Sequence, residues 1–402
     1  MMRTAIRAAG LFDGERRIDD PLVIVEDGRF TDVRAGRGEA PPDAELVELP
    51  GATLLPGLVD THVHLAFDGG SDPVATLAQR SDDEVMAAMG VAAEAELRAG
   101  VTTVRDLGDR DYLSLRFREG FTGTAPTIVA AGPPITTGGG HCHFLGGVAT
   151  GGVRGVRAAV REHAERGVDV IKVMASGGMM TEGTLVHESQ FAPAELRAIV
   201  DEAHRYGLPV TAHAHAAQAV SDALAAGVDG IEHCTFVTAD GVRPVDELID
   251  RIVERRIAVG LTVGMRPVEG AVPPPLLLRI LPDVMKLSAR LIRAGALVVA
   301  GTDAGIAPVK PHGVLPLGLQ HLVELGTDPV EALRTGTSTA AGVCGLGDRK
   351  GRVVASFDAD LLAVDGDPTT DITALHRPVA VFQGGRRVDI GFMADSPGRN
   401  RP

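Results

Sequence analysis

The stretch "GVDVIKVMASGG" (Gly167–Gly178) decides how the chain is read. A glycine, the usual residue just past a helix end, is followed by the apolar run Val168, Val170, Ile171, Val173 and Met174. The run stops at Ala-Ser-Gly-Gly. So short a run, punctuated on both sides, is a strand buried on both faces, as strands of a parallel sheet covered by helices are. Similar units lie on either side of it: "GLVDTHVHL", "GVTTVRDLG", "PTIVAAGPP", "LPVTAHAHA", "GVDGIEHCT", "IAVGLTVG" and "ALVVAGTDAG". Several are preceded by a helix rich in Ala, Glu and Arg that ends in glycine.

Eight such strands alternating with helices predict an α/β chain with a (β/α)8 TIM barrel over residues 57–347. An open doubly wound sheet is the alternative. The count of eight and the absence of a GxGxxG turn after the first strand favour the barrel. The two ends read differently, as short strands and turns: "PLVIVEDGRFTDVRAG" and "AELVELPGATLLPG" in residues 1–56, "RVVASFDADLLAVDGDP" and "PVAVFQGGRRV" in residues 348–402. The Glu-Asp-Gly-Arg turn between alternating runs is a hairpin signal. Together the ends predict one small discontinuous β-sandwich domain.

The 402 residues carry a formal net charge of −14, which argues against nucleic acid or an anionic membrane surface as partner. The N-terminus lacks the apolar core of a signal peptide, and no run approaches a membrane span. Cys142, Cys234 and Cys344 are an odd, scattered set without a CxxC pair, so a disulfide framework is not expected. A cytoplasmic enzyme fits these bounds.

Chemistry-bearing residues fall at the strand ends. His62 and His64 end the first strand, His213 and His215 the fifth, His233 the sixth, and Asp303 the eighth; Lys172 lies near the end of the fourth. In a barrel these C-terminal ends converge on the face where active sites are built. Residues at i and i+2 share a face, so His62 and His64 point the same way. Neutral imidazole and carboxylate are the ligands of zinc and similar divalent metals. Any one of these signals has a bland reading: a solvated HxH, a core histidine in "GIEHCT", a capping aspartate in "GTDAG". Their co-occurrence on four different strands predicts a metal site. Lys172 is the odd member, because lysine is almost never fully buried without a partner. No acidic residue on its own strand face can pair with it.

In this order "PGLVDTHVHL", "GVTTVRDLG", "VIKVMASGG", "VTAHAHA", "GIEHC" and "AGTDAG" resemble the metal-dependent amidohydrolase superfamily. They are most similar to its imidazolonepropionase-related branch, which includes Xaa-Pro and Xaa-Arg dipeptidases and ochratoxin-type amidohydrolases. The resemblance spans nearly the whole chain. It implies two divalent metals, zinc by expectation, with Lys172 carboxylated by carbon dioxide so that its carbamate bridges them. One metal would be held by His62, His64, Lys172 and Asp303, the other by Lys172, His213 and His233. Asp303 would act as general base and then acid. Burial lowers a lysine pKa and frees the neutral amine that reacts, which agrees with a carbamate. The rival is an unmodified Lys172 beside a single metal at His62, His64, His213 and Asp303.

His215 shares the strand face of His213 one layer higher and is expected to contact substrate or the oxyanion; the alternative is a supporting hydrogen bond. Dipeptidase-like relatives often carry Tyr there, which puts peptide specificity in doubt. The loop "TTGGGHCHFLGG" (Thr136–Gly147) is similar to the family's TGGHG loop and offers His141 as a substrate contact, with Cys142 and His143 given no role. Residues 176–191 are expected to form a lid. His187 and His312 are exposed-loop candidates; His163, His204, His321 and His376 read as helix or surface residues. Arg105 is expected to pair in the barrel floor and Asp106 to cap a loop.

The function expected is hydrolysis of an amide C–N bond, peptide-like, N-acyl or cyclic, in a small-molecule substrate. The alternative is a mononuclear imidazolonepropionase-like hydrolase or deaminase with unmodified Lys172. Deaminases need a glutamate after the fifth-strand histidine, which "HAHAAQ" does not offer. A metal-free structural relative would have lost ligands, and here the full set is present. A homo-oligomer is expected because barrels of this kind commonly associate.

Overall fold

A computed structural model describes residues 3–36, 38–270 and 273–391. At its centre are eight parallel strands in chain order: Leu58–Val63, Val101–Asp106, Thr127–Ala130, Ile171–Met174, Val210–Ala216, Gly230–Thr238, Ala258–Thr262 and Leu297–Gly301. The first three form one parallel ladder and the last five another. Isolated parallel bridges join the two sheets at both edges, Ile135 to Val173 and Val63 to Ala304. The backbone N–H of Asp303 also donates to His62 O at 2.7 Å, and that of His64 to Ala304 O at 3.0 Å.

Helices alternate with these strands as the punctuation predicts. Asp82–Arg98 starts at Ser81, whose hydroxyl accepts from the Glu84 N–H while the Glu84 carboxylate accepts from the Ser81 N–H, a capping box. It stops before Gly100, at φ 85°. The fourth strand is buried at all four positions, as its apolar run requires. No helix of the described residues is long and apolar enough to cross a membrane.

Both chain ends meet in one mixed sheet of eight strands, running from Arg386–Val388 through Leu361–Asp365, Ala44–Pro56 and Arg3–Phe12 to Arg29–Arg34. In hydrogen-bonding terms the expected sandwich is thus a single continuous sheet. Leu22–Glu26 and Arg29–Arg34 form the hairpin around Asp27 and Gly28, whose φ of 52° and 77° suit an Asp-Gly turn. The run "RVVASF" is not a strand. Residues from 392 onward fall outside the described part of the C-terminal segment.

Candidate metal centre

All six side chains read as metal ligands line one cavity, together with His141 and His215. His62, His64 and Asp303 offer donor atoms within 4.8 Å of one another, and so do His213, His215 and His233. His64 Nε2 is 3.2 Å from Asp303 Oδ1, and His62 Nε2 is 3.5 Å from the same oxygen. Lys172 is 1% exposed, and its Nζ sits 3.5 Å from His62 Nε2. The two groups meet where the His62 and His233 rings lie 5.4 Å apart.

The backbone bends to make this possible. In a regular strand, neighbouring residues point to opposite faces, yet Glu232 and His233 both serve the site. The ladder between the fifth and sixth strands slips so that Ala214 pairs with His233 and Ala216 with Val237. Within that bulge His233, Cys234 and Phe236 have φ of 68°, 52° and 50°. Asp303 follows the eighth strand at φ 60°. Such conformations are costly for residues with a side chain and gather at functional sites.

Second contacts fix which nitrogen each ring offers. His62 Nδ1 donates to Glu232 Oε2 at 3.0 Å, and His64 Nδ1 donates to Gly108 O at 2.9 Å. His215 Nδ1 is held by the Thr235 hydroxyl at 2.9 Å, and His233 Nδ1 by that of Thr262 at 3.2 Å. Each of these four rings therefore turns Nε2 inward. His213 is reversed: its Nε2 faces Gly177 O at 3.2 Å, leaving Nδ1 for the site. Rings oriented from outside by carboxylates, carbonyls and hydroxyls are the arrangement metal-ligating histidines show.

Electrostatics agree with that donor set at every ligand but His64. Burial, with Lys172 nearby, lowers the His62 imidazole to about 4; burial also lowers His215 to about 4. Burial and the neighbouring imidazoles hold His213 and His233 well below the usual histidine range. Burial would raise the Asp303 carboxyl, but His62 and His64 hold it well below the usual carboxylate range. Burial lowers the Lys172 amine to about 8 against the pull of Glu232 and Asp303. His64 is the exception: burial lowers its imidazole, but the hydrogen bond and charge of Asp303 raise it above the ordinary histidine value. Neutral imidazoles at His62, His213 and His233, a carboxylate and a weakly basic amine are the protonation states metal ligation requires.

His215 lies closer to the donor set than a layer above it: its ring stacks on His233 at 4.3 Å and meets His213 at 4.7 Å. His141 stands 4.9 Å from the His213 ring, and its Nδ1 contacts the Thr181 hydroxyl at 3.1 Å. Gly178 leaves room for it, since a Cβ there would be 2.2 Å from His141 Nε2. Met179 and Met180 of the expected lid, with Phe67, Met174 and Ile306, give the cavity an apolar wall. Cys142, given no role, is part of that wall too.

His312 corrects the sequence reading. Its side chain is 7% exposed, donating from Nδ1 to Glu96 at 3.2 Å and from Nε2 to Phe67 O at 2.9 Å. His187 is half-buried, and His163 is buried on its helix between the Tyr112 hydroxyl and Pro133 O. Arg105 pairs with Glu232 at 3.0 Å, and Asp106 accepts from the N–H groups of Leu65 and Gly108. Glu232 is the residue sequence reasoning missed. Its oxygens gather His62, Arg105 and the Thr211 hydroxyl, the last at 2.7 Å. An acid inside the apolar run "VDGIEHC" was the available signal.

The family model "Amidohydrolase family" matches residues 53–388. The chain is 29% identical to ochratoxinase from Aspergillus niger over 366 residues, 83% of this chain and 75% of that one. It is 26% identical to imidazolonepropionase from Deinococcus deserti over 413 residues, 92% of this chain and 93% of that one. Among solved structures, that of a Xaa-Pro dipeptidase with bound methionine in the active site superposes with a TM-score of 0.85. The identity there is 26%, covering 96% of this chain and 99% of that one.

Proposed function

The chain belongs to the amidohydrolase family, and from that premise we propose that it is a binuclear metal-dependent hydrolase cleaving an amide C–N bond, peptide-like, N-acyl or cyclic. One observation carries the reading: two triads of donors, His62, His64, Asp303 and His213, His215, His233, share one cavity with the buried Lys172. His62, His64, Asp303 and a carbamate on Lys172 would hold one ion, and the carbamate with His213 and His233 the other. Two divalent ions, zinc by donor type, supply Lewis-acid polarisation of the amide carbonyl and a more acidic attacking water.

The chain's own groups do the rest. The neutral Lys172 amine forms an N–C bond to carbon dioxide and sheds a proton to solvent, leaving a carbamate anion. Asp303, kept anionic, takes the proton of the attacking water on its carboxylate oxygen and delivers it to the leaving nitrogen. His215 and His141 face the substrate carbonyl and orient it. Glu232 holds His62 in the Nδ1–H form. The same reading makes the two parallel sheets one closed (β/α)8 barrel over residues 57–347, and makes the continuous sheet of the two chain ends, 1–56 and 348–402, a β-sandwich domain by folding over on itself. It places a homo-oligomer in the cytoplasm, with a small-molecule amide as substrate and neither nucleic acid nor membrane as partner.

The test is a hydrolysis screen of N-acyl amino acids, dipeptides and lactams, run beside metal analysis of the same preparation. Two ions per chain and turnover of at least one class are expected. One ion per chain after bicarbonate treatment and metal loading would favour the mononuclear imidazolonepropionase-like reading. A loaded protein that cleaves no C–N substrate overturns both.

A further inference from the structure

Opposite the histidines, a second cavity of 420 Å³ opens among residues at the starts of the fourth to eighth central strands. Three arginines line it, Arg105, Arg255 and Arg256, beside an apolar wall that includes Ile257, Leu297 and Val343. Its one acid among the described residues, Asp229, is already engaged by His204 Nε2 at 2.9 Å and the Val210 N–H at 2.8 Å. The lining thus combines cationic and apolar side chains.

Arg256 is an anomaly in the backbone as well. Five of the helices that lead into central strands stop at a glycine in the left-handed region: Gly100, Gly167, Gly207, Gly227 and Gly295, with φ between 70° and 86°. The helix Asp246–Glu254 instead reaches the seventh strand through Arg256 at φ 52°. A residue with a side chain is strained there, and glycine is not. Arg256 is exposed, and no hydrogen bond or ion pair among the described residues holds its guanidinium. The chain keeps a strained arginine where glycine would serve the fold.

Arg105 links this cavity to the metal centre. It is 4% exposed; its Nη2 donates to Glu232 Oε1 at 3.0 Å, and Glu232 Oε2 is 3.0 Å from His62 Nδ1. We propose that the cavity binds a small organic anion, an apolar body carrying a carboxylate, and that occupancy acts on the metal centre through Arg105 and Glu232. Guanidinium forks match a carboxylate in geometry and charge, and the apolar wall takes the rest of the molecule. A carboxylate that draws on Arg105 weakens its hold on Glu232 and so on the His62 tautomer. The coupling rests on the proposed metal centre; the binding site does not.

The test uses metal-loaded protein, hexanoate as probe, and hexanol and hexylamine as controls, all followed by calorimetric titration. Hexanoate should bind the wild type at least tenfold more tightly than either control. Arg256→Gly removes the side chain and relieves the strained φ. It should lose that binding component at least tenfold while its thermal midpoint and basal turnover do not fall. Unchanged hexanoate binding in Arg256→Gly, no binding to the wild type, or equal binding of hexylamine overturns the site. For the coupling, saturating hexanoate should change at least threefold the rate at which EDTA strips metal from the wild type, and leave Arg256→Gly unaffected. Equal stripping rates overturn the coupling. A protein that takes up no metal refutes the metal-centre reading instead, and the calorimetry still decides the site.

Discussion

Replacing Glu232 with Gln keeps volume and shape but should damage both folding and metal binding. Three donors converge on this carboxylate: Arg105 and the Thr211 hydroxyl on Oε1, His62 Nδ1 on Oε2. Its side chain is 1% exposed, and the glycine opposite is packed so closely that a Cβ at Gly260 would stand 1.9 Å from Oε2. Water has no room to substitute. A glutamine must therefore aim its –NH2 at a donor. Aimed at His62, it forces the ring to accept at Nδ1 and carry its proton on Nε2, the nitrogen that faces the site. Aimed at Arg105, it leaves a buried guanidinium against an amide. Breaking one partner of a buried pair costs about 3–5 kcal/mol, and loss of an outer partner of a ligating histidine about 10–100-fold in metal affinity. Urea denaturation and competition with a chromogenic chelator measure the two effects separately. Adding Arg105→Met removes the orphaned charge and should restore most of the stability. Glu232→Gln with wild-type metal affinity and stability would refute the reasoning.

Other outcomes follow from the same geometry. Lys172→Ala should abolish hydrolysis and lose at least one ion, with partial rescue by acetate or formate. Lys172→Arg, which stays protonated, should show no rescue, and an active Lys172→Arg would sink the carbamate. His215→Ala and His141→Ala should slow turnover while metal analysis stays near wild type; metal loss in His215→Ala would move that residue into the ligand set, beside His213 and His233 where its ring lies. His312 carries a pH dependence: burial lowers its imidazole, but the Glu96 hydrogen bond and charge raise it above the ordinary 6.5. A raised folded pKa gives stability that is complete below about 6.5 and is lost as pH rises through the folded value. Denaturation midpoints should accordingly fall with pH above 6.5 in the wild type and lose that slope in His312→Gln.

The parts of this molecule legible in the sequence are those with a local signature. Helix ends marked by glycine, the "EDGR" hairpin and the apolar fourth strand are short-range, and the structure has them where the residues place them. The ligand candidates were legible because each sits at a strand end, and strand ends in an alternating α/β chain gather on one side. Glu232 was not, because period-two alternation assigns Glu232 and His233 to opposite faces. Only the bulge, with its run of left-handed residues, brings both inward. His312 was misread for a related reason. Its burial depends on Glu96, 216 positions away, and nothing near residue 312 in sequence announces that partner. Turn chemistry and burial runs are local; register slips and long-range ion pairs are not.

The site's strain and its hydrogen bonding have one explanation. Four of the five histidines in the two donor triads are tied at the outer nitrogen, by Glu232, Gly108 O, Thr235 and Thr262, and the fifth by Gly177 O. None can turn its inner lone pair away without breaking a buried hydrogen bond, which costs about 1–3 kcal/mol each. Burial keeps these lone pairs on neutral rings at His62, His213, His215 and His233. Lone pairs aimed at a common centre repel one another, and left-handed backbone at His233 and Asp303 adds to the cost. A fold selected for stability alone would have no reason to hold that arrangement. Cations at the centre of the two triads reverse its sign, turning every inward lone pair into an attraction. That reversal is why preorganised, outward-tied imidazoles are a stronger argument for metal chemistry here than the count of histidines.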